Sequence, residues 1–165
     1  MYNKILVPLD GSELAEQVLP YVIELARCTG GEIILLRTPA VPVYDYLVTE
    51  PQWGNEIRQE AEREAVEYLD NLSKDLTAKG LNIKTQVGTD GAVPSTILDM
   101  ASELNVDLIA MSTHGRSGLA RLVMGSVADQ VVRHAALPVL LVRPQPVHSD
   151  RPTSSHSTNA HQPVR

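Results

Sequence analysis

The chain predicts an α/β fold, a doubly wound parallel sheet of about five strands with helices on both faces. Two observations predict it. Short apolar runs alternate with longer amphipathic stretches along the chain. Aromatic residues are scarce, with no Phe, one Trp and five Tyr, so Val, Ile, Leu, Ala and Met must fill the core, as in parallel sheets covered by helices. A length of 165 residues fits one compact domain.

The elements follow in order. Ile5 to Leu9 is a short apolar run and the first strand. Asp10-Gly11-Ser12 is a turn and capping signal, with Asp10 a candidate cap. From Glu13 to Arg27, apolar residues recur at Leu14, Val18, Val22, Leu25 and Ala26, the spacing of one helix, which Thr29-Gly30-Gly31 ends. Cys28 near its end is expected to be a small core residue. Glu32 to Arg37 is the second strand. Residues 38–55 hold several Pro, two Tyr, Trp53 and Gly54 and predict a long loop, a lid or a partner patch. Glu56 to Lys79 is an amphipathic helix with Ile57, Ala61, Ala65, Tyr68, Leu69, Leu72 and Leu76 on its apolar stripe, stopped by Gly80.

Leu81 to Val87 alternates apolar with polar residues, which places the third strand at an edge. Val93 to Leu104 is a helix with Pro94 in its first turn and Ile97, Leu98, Ala101 and Leu104 facing in. Asp107 to Met111 is the fourth strand, Ser126 to Ala135 the last helix, and Leu137 to Val142 the fifth strand. The domain spans 1–143. The tail 144–165, rich in Pro, Ser, Thr and His, is expected to be disordered.

Bulk properties exclude several functions. A net charge of −6 argues against nucleic acid and anionic membranes as partners. A single cysteine excludes an intrachain disulfide and a multi-Cys metal site. No signal peptide and no run near the roughly 20 residues of a membrane span is visible, so a cytoplasmic location is expected. His148, His156 and His161 are too irregularly spaced for a metal site.

Function concentrates between Asp107 and Val132. The fourth strand runs into Ser112-Thr113-His114-Gly115-Arg116-Ser117-Gly118, and nine residues separate Gly115 from Gly125-Ser126, where a helix begins. Strand, glycine-rich loop and helix N-terminus form an arrangement that holds phosphate, because backbone N–H groups and the helix dipole face the anion. No Gly-Lys-Ser/Thr occurs, so it is not a P-loop, and Gly115-x-x-Gly118 is only a fragment of a dinucleotide fingerprint. A purely structural account fits the same residues: Ser126 with Asp129 as a capping box and Gly125 as a turn. His114 is better explained as a loop residue fixing the turn than as a general base, since no nucleophile adjoins it. In doubly wound sheets, ligands bind where strand order reverses. If the first and fourth strands are neighbours, Asp10 and the Gly115 loop meet there.

Three segments together, KILVPLDGSELA, THGRSGLARLVMGSVADQVV and LPVLLVRP, resemble the universal stress protein family in order and spacing. The resemblance covers roughly residues 2–143 and implies strand order 3-2-1-4-5 and a homodimer. One branch of that family binds ATP through Gly, two residues, Gly, nine residues and Gly-Ser or Gly-Thr. Here Ser112 stands at the first glycine, followed by Gly115 and Gly125-Ser126. By the resemblance, Pro8 and Leu9 wall the base, Asp10 lies near ribose and adenine, and backbone around Thr38 meets the adenine edge. Met111, Ser112, His114, Gly115, Arg116 and Gly118 line ribose and phosphates, and Gly125, Ser126 and Val127 hold the triphosphate. The resemblance thus implies a stress-response regulator in which ATP with Mg²⁺ orders the Gly115–Ser126 loop and changes a surface shown to a protein partner. Slow ATP hydrolysis is one alternative, without an identifiable water-orienting residue. A nucleotide-free interaction module is another, favoured by Ser112 and opposed by Gly115, Gly118 and Gly125-Ser126. The apolar Leu137–Val142 edge needs a cover, which pairing with the same strand of a second subunit supplies.

Overall fold

The computed structural model describes residues 2–39, 51–88, 91–115 and 124–145, with 51–54 described by backbone alone. The elements are β1 (Lys4–Pro8), α1 (Glu13–Glu16), α2 (Leu19–Thr29), β2 (Glu32–Arg37), α3 (Pro51–Thr77), β3 (Asn82–Val87), α4 (Val93–Glu103), β4 (Leu108–Ser112), α5 (Ser126–His134) and β5 (Val139–Val142). The sheet has five strands in the order β3-β2-β1-β4-β5, and every pairing is parallel. β1 is flanked by β2, with Val7 opposite Leu35, and by β4, with Leu6 opposite Ile109. The expected fold class, strand order and central neighbours are therefore all present, and β3 lies at an edge with a largely exposed pattern.

Alternate residues of each strand face opposite sides. Ile5, Val7, Ile33, Leu35 and Ala110 pack with Val18, Val22 and Ala26 of the first connection and with Leu69 and Leu76 of α3. Leu6, Ile34, Leu36, Ile109 and Met111 face Ile97 and Ala101 of α4 and Ala128 and Val131 of α5. The helices divide between the faces because parallel crossovers are right-handed. The chain moves from β1 to β3 in one direction across the sheet, then from β4 to β5 in the other, so the helices of the second half must switch face.

Several local expectations are corrected. The single helix expected from Glu13 to Arg27 is two, because Pro20 in the first turn of α2 has no N–H to bond back to Glu16; Gln17 closes α1 and the chain restarts. Pro51 to Gly54, expected as loop, are the first turn of α3, where a leading proline costs nothing; residues 40–50 of the expected lid lie outside the described residues. Cys28 is exposed rather than in the core, since Val22 and Ala26 occupy the inward stripe of α2. Leu137 and Pro138 precede β5, although the Pro138 carbonyl still accepts from Ile109 N–H at 3.1 Å. The tail from 146 onward lies outside the described residues.

The end of the sheet away from the cavity is tied by one carboxylate. Asp107 Oδ2 accepts from the backbone N–H of Asn3 at 2.8 Å and Lys4 at 2.9 Å, joining the start of β1 to the turn before β4. The Lys4 N–H first, then that of Asn3, holds the Asp107 carboxyl below its ordinary value of 3.8. Because the folded value is the lower one, the carboxylate supports folding above the ordinary pKa and its contribution is lost as pH falls through the folded value. Asp107→Asn should lower stability on the neutral plateau and flatten the acid limb below about pH 4, so that variant and wild type converge at low pH. Urea unfolding across the acid range checks this, and an unchanged pH profile would count against the clamp.

Candidate functional site

At the carboxyl ends of β1 and β4 the two connections leave toward opposite faces, α1 on one side and α5 on the other, and a crevice opens between them. A cavity of about 280 Å³ occupies it. That is at the small end of the roughly 300–1,000 Å³ of small-molecule sites. Pro8, Leu9 and Asp10 enter it from β1, Thr38 from just after β2, and Met111, Ser112, His114 and Gly115 from β4 and beyond. Gly125, Ser126 and Val127 close it from the start of α5. Arg116 and Gly118 lie outside the described residues.

Leu9 is fixed by its N–H bonding the Leu36 carbonyl at 2.8 Å, which carries β1 geometry one residue past the strand. Asp10 then turns the chain. Its Oδ1 accepts from Ser12 N–H at 2.9 Å and from the Ser12 hydroxyl at 2.6 Å. Ser12, not Asp10, is the N-cap of α1, and its Oγ accepts from Ala15 N–H. The expected capping role of Asp10 is therefore one step removed: it fixes the cap. Asp10 Oδ2 points at Gly115, so closely that a Cβ there would collide with it. Gly115 is required by this approach of a charged side chain to the backbone.

The ends of the segment between β4 and α5 are joined. Thr113 N–H bonds the Val142 carbonyl at 2.8 Å, and Gly125 N–H bonds the Thr113 carbonyl at 2.9 Å. A Cβ at Gly125 would stand 2.9 Å from that same carbonyl. Gly125 is also the N-cap of α5, and no side chain caps the helix. The capping box expected of Ser126 and Asp129 is absent, because Ser126 is already the first helical residue and Asp129 accepts from Arg133 Nε at 2.8 Å. First-turn N–H groups of α5 thus meet the cavity without a side-chain cap among the described residues. The Ser112 hydroxyl is buried and accepts from His114 N–H at 3.3 Å. His114 Nδ1 lies 2.9 Å from Thr113 Oγ1, in keeping with a turn-fixing histidine.

The far wall is apolar, formed by Leu36, Val93, Ile97, Met111 and Ala128. Thr38 Oγ1 stands beside it, buried and without a hydrogen-bond partner among the described residues. Gly88 packs so near that a Cβ would come within 2.8 Å of that oxygen.

Sequence reasoning did not single out Arg37, Ala61, Glu64, Val93 or Ile97 as cavity residues. Arg37 ends β2, so the rule that ligands gather at strand C-termini points to it; Ala61 and Glu64 require knowing that α3 crosses the same end. The Arg37 guanidinium lies 4.6 Å from the centre of the Tyr68 ring. Tyr68 in turn donates its hydroxyl to Glu16 Oε1 at 2.7 Å. Burial first, and the Glu16 hydrogen bond and charge next, push the Tyr68 phenol well above its usual 10.0. With the folded value raised, the support this tyrosine gives to folding is complete below its ordinary pKa and is lost as pH climbs through the raised value. Ultraviolet titration should therefore show one tyrosine still protonated after the exposed ones have ionised, and Tyr68→Phe should remove that late step. Uniform titration of all five tyrosines would contradict the Tyr68–Glu16 contact.

Residues 1–143 match the model of the Universal stress protein family. The universal stress protein YxiE of Bacillus subtilis is 32% identical over 149 residues, covering 87% of this chain and 100% of that protein. The solved structure of MJ0577 from Methanocaldococcus jannaschii superposes with a TM-score of 0.78 at 31% identity, covering 88% of this chain and 99% of that one. A universal stress protein from Archaeoglobus fulgidus, solved in complex with dAMP, shares the fold at 23% identity and a TM-score of 0.62 over 86% of this chain and 98% of that one.

Proposed function

The chain belongs to the universal stress protein family, and on that premise we propose that its cavity binds ATP with Mg²⁺ and that binding regulates a surface shown to a protein partner in the stress response. One observation carries the reading. Asp10 is packed against Gly115 on one side of the crevice while the uncapped start of α5 faces it from the other. A carboxylate suits ribose hydroxyls, and unpaired helix N–H groups suit phosphate oxygens. The apolar wall of Leu36, Ile97 and Met111 suits a flat base, beside the unpartnered Thr38 hydroxyl. The dAMP held by the Archaeoglobus relative is a nucleotide of the same base class.

Ser112, at the position of the pattern's first glycine, turns its hydroxyl back onto His114 N–H, so the departure need not obstruct the phosphates. Among the described residues, no three His, Cys, Asp or Glu side chains gather to hold a metal. Mg²⁺ here would ride on the phosphates and water, its usual manner with nucleotides.

The regulator is proposed as a cytoplasmic homodimer. The free, exposed thiol of Cys28 suits a reducing compartment. Val139, Leu140 and Leu141 are only half-buried on the edge strand. The carbonyls of Pro138 and Val142 bond β4, so in a parallel pairing the backbone groups of Val139 and Leu141 face the open edge. A second β5 can pair there about a two-fold axis.

Calorimetric titration of ATP and Mg²⁺ into nucleotide-free protein tests the ligand. Saturable binding is expected, with Gly115→Val abolishing it, and the collision with Asp10 should cost about 1–3 kcal/mol of stability. No binding to the wild-type protein would overturn the nucleotide reading and leave a dimeric interaction module. Leu141→Pro removes an edge-facing N–H without touching the β4 ladder. It should convert the dimer to monomer in sedimentation while retaining the helical circular dichroism; a persistent dimer would place the interface elsewhere.

A further inference from the structure

Arg37, at the end of β2, is a charged residue of the cavity wall. It projects on the face of the sheet opposite Leu36, across Gly11: a Cβ there would come 2.9 Å from its Nη1. Gly11 has φ +82, a left-handed conformation suited to glycine, so the turn after Asp10 both needs glycine and leaves room for the guanidinium. Tyr68 lies beneath the cation at 4.6 Å and is itself held by Glu16. An arginine stacked on a half-buried, anchored ring is pre-organised, with its N–H groups directed in the plane and away from the ring.

Among the described residues, Arg37 makes no ion pair within 4 Å, whereas Arg27, Arg63, Lys84 and Arg133 each have a carboxylate partner. The acidic groups around it are engaged. Glu16 accepts from Tyr68, and Asp10 holds Ser12 and faces Gly115. Glu64 shares the cavity wall but makes no ion pair with Arg37. A half-buried guanidinium in a cavity wall, rigidly placed and with unused donors, suits a ligand oxyanion.

We propose that Arg37 is a ligand-binding residue of this cavity, taking a phosphate oxygen of the bound nucleotide and making the site select phosphorylated adenine ligands over adenosine. The proposal rests on the nucleotide reading and adds to it a cation on the side of the crevice away from α5. The phosphate comes either from the 5′ chain or from a phosphate on the ribose 3′ oxygen.

The test is calorimetry of ATP, 3′-AMP and adenosine with wild-type, Arg37→Gln and Arg37→Lys protein. Arg37→Gln should weaken the phosphorylated ligand that uses this contact by about tenfold or more, as expected for a lost charge-assisted hydrogen bond. Adenosine should hold within about twofold, since it carries no charge for Arg37 to meet. Arg37→Lys should recover part of the affinity, and the salt dependence of binding should fall in Arg37→Gln alone. The ligand that loses affinity names the source of the phosphate. Equal losses for all three ligands, or none, would overturn the assignment while the nucleotide reading stood.

A second measurement separates the two failures. The Arg37 side-chain Nε–H resonance, assigned by its absence in Arg37→Lys, is titrated with inorganic pyrophosphate. If no nucleotide binds but pyrophosphate moves this resonance in a saturable way, the nucleotide reading falls and the anion site stands. If neither happens, both fall.

Discussion

The handedness of parallel crossovers is the constraint from which the rest of this structure follows. A strand that feeds a helix and returns to a parallel neighbour must turn right-handedly. The chain builds β2 and β3 outward from β1 and then returns to build β4 and β5 on the other side. Reversing direction obliges the helices to change face, so α3 covers one layer and α4 and α5 the other. Between β1 and β4 the outgoing connections part, and a cavity lies between them. The crevice is a consequence of topology, present before any functional residue is chosen.

What the sequence adds to that crevice is chemistry of opposite character on its two walls. From β1 comes a carboxylate, Asp10, braced by the cap of α1. From β4 and α5 come glycines and helix-start donors that no described side chain caps, with Gly125 tied by its N–H to the Thr113 carbonyl. Gly115 is where the two halves touch, and its lack of a side chain sets how closely they approach. The Arg37–Tyr68–Glu16 chain supports the wall built by the first half of the fold. Ribose-like and phosphate-like contacts can then be offered at once, which is why a nucleotide fits better than a simple anion.

Much of this was legible in the chain. The apolar runs at Ile5, Ile33 and Leu108 are continuous because their strands are buried on both faces, whereas Asn82 to Val87 alternates because β3 is an edge. That Asp10 and the Gly115 loop meet followed from strand position together with glycine spacing, whereas Pro8, Leu9, Thr38 and Met111 came from the resemblance to the universal stress protein family. Features fixed by a single backbone group were harder to see. Pro20 divides a stretch whose apolar spacing is helical throughout, because periodicity records side chains and not the missing N–H. Pro51 to Gly54 look like breakers, yet they occupy a helix start that tolerates them. Residue type alone points Cys28 inward, but its angular position on α2 carries it outward. Ala61 and Glu64 reach the cavity only because α3 packs over the end of β2, a tertiary fact that no local pattern records.

The central claim is that one crevice, between β1 and the start of α5, takes the ligand. Amide hydrogen exchange with and without ATP and Mg²⁺ tests it most directly, because it surveys every backbone donor without presuming a site. The account predicts slower exchange confined to residues around Asp10, at Met111 to Gly115 and at Gly125 to Ala128, with β3 and the carboxyl end of α2 unchanged. Protection centred elsewhere, or none at saturating ATP, would contradict it.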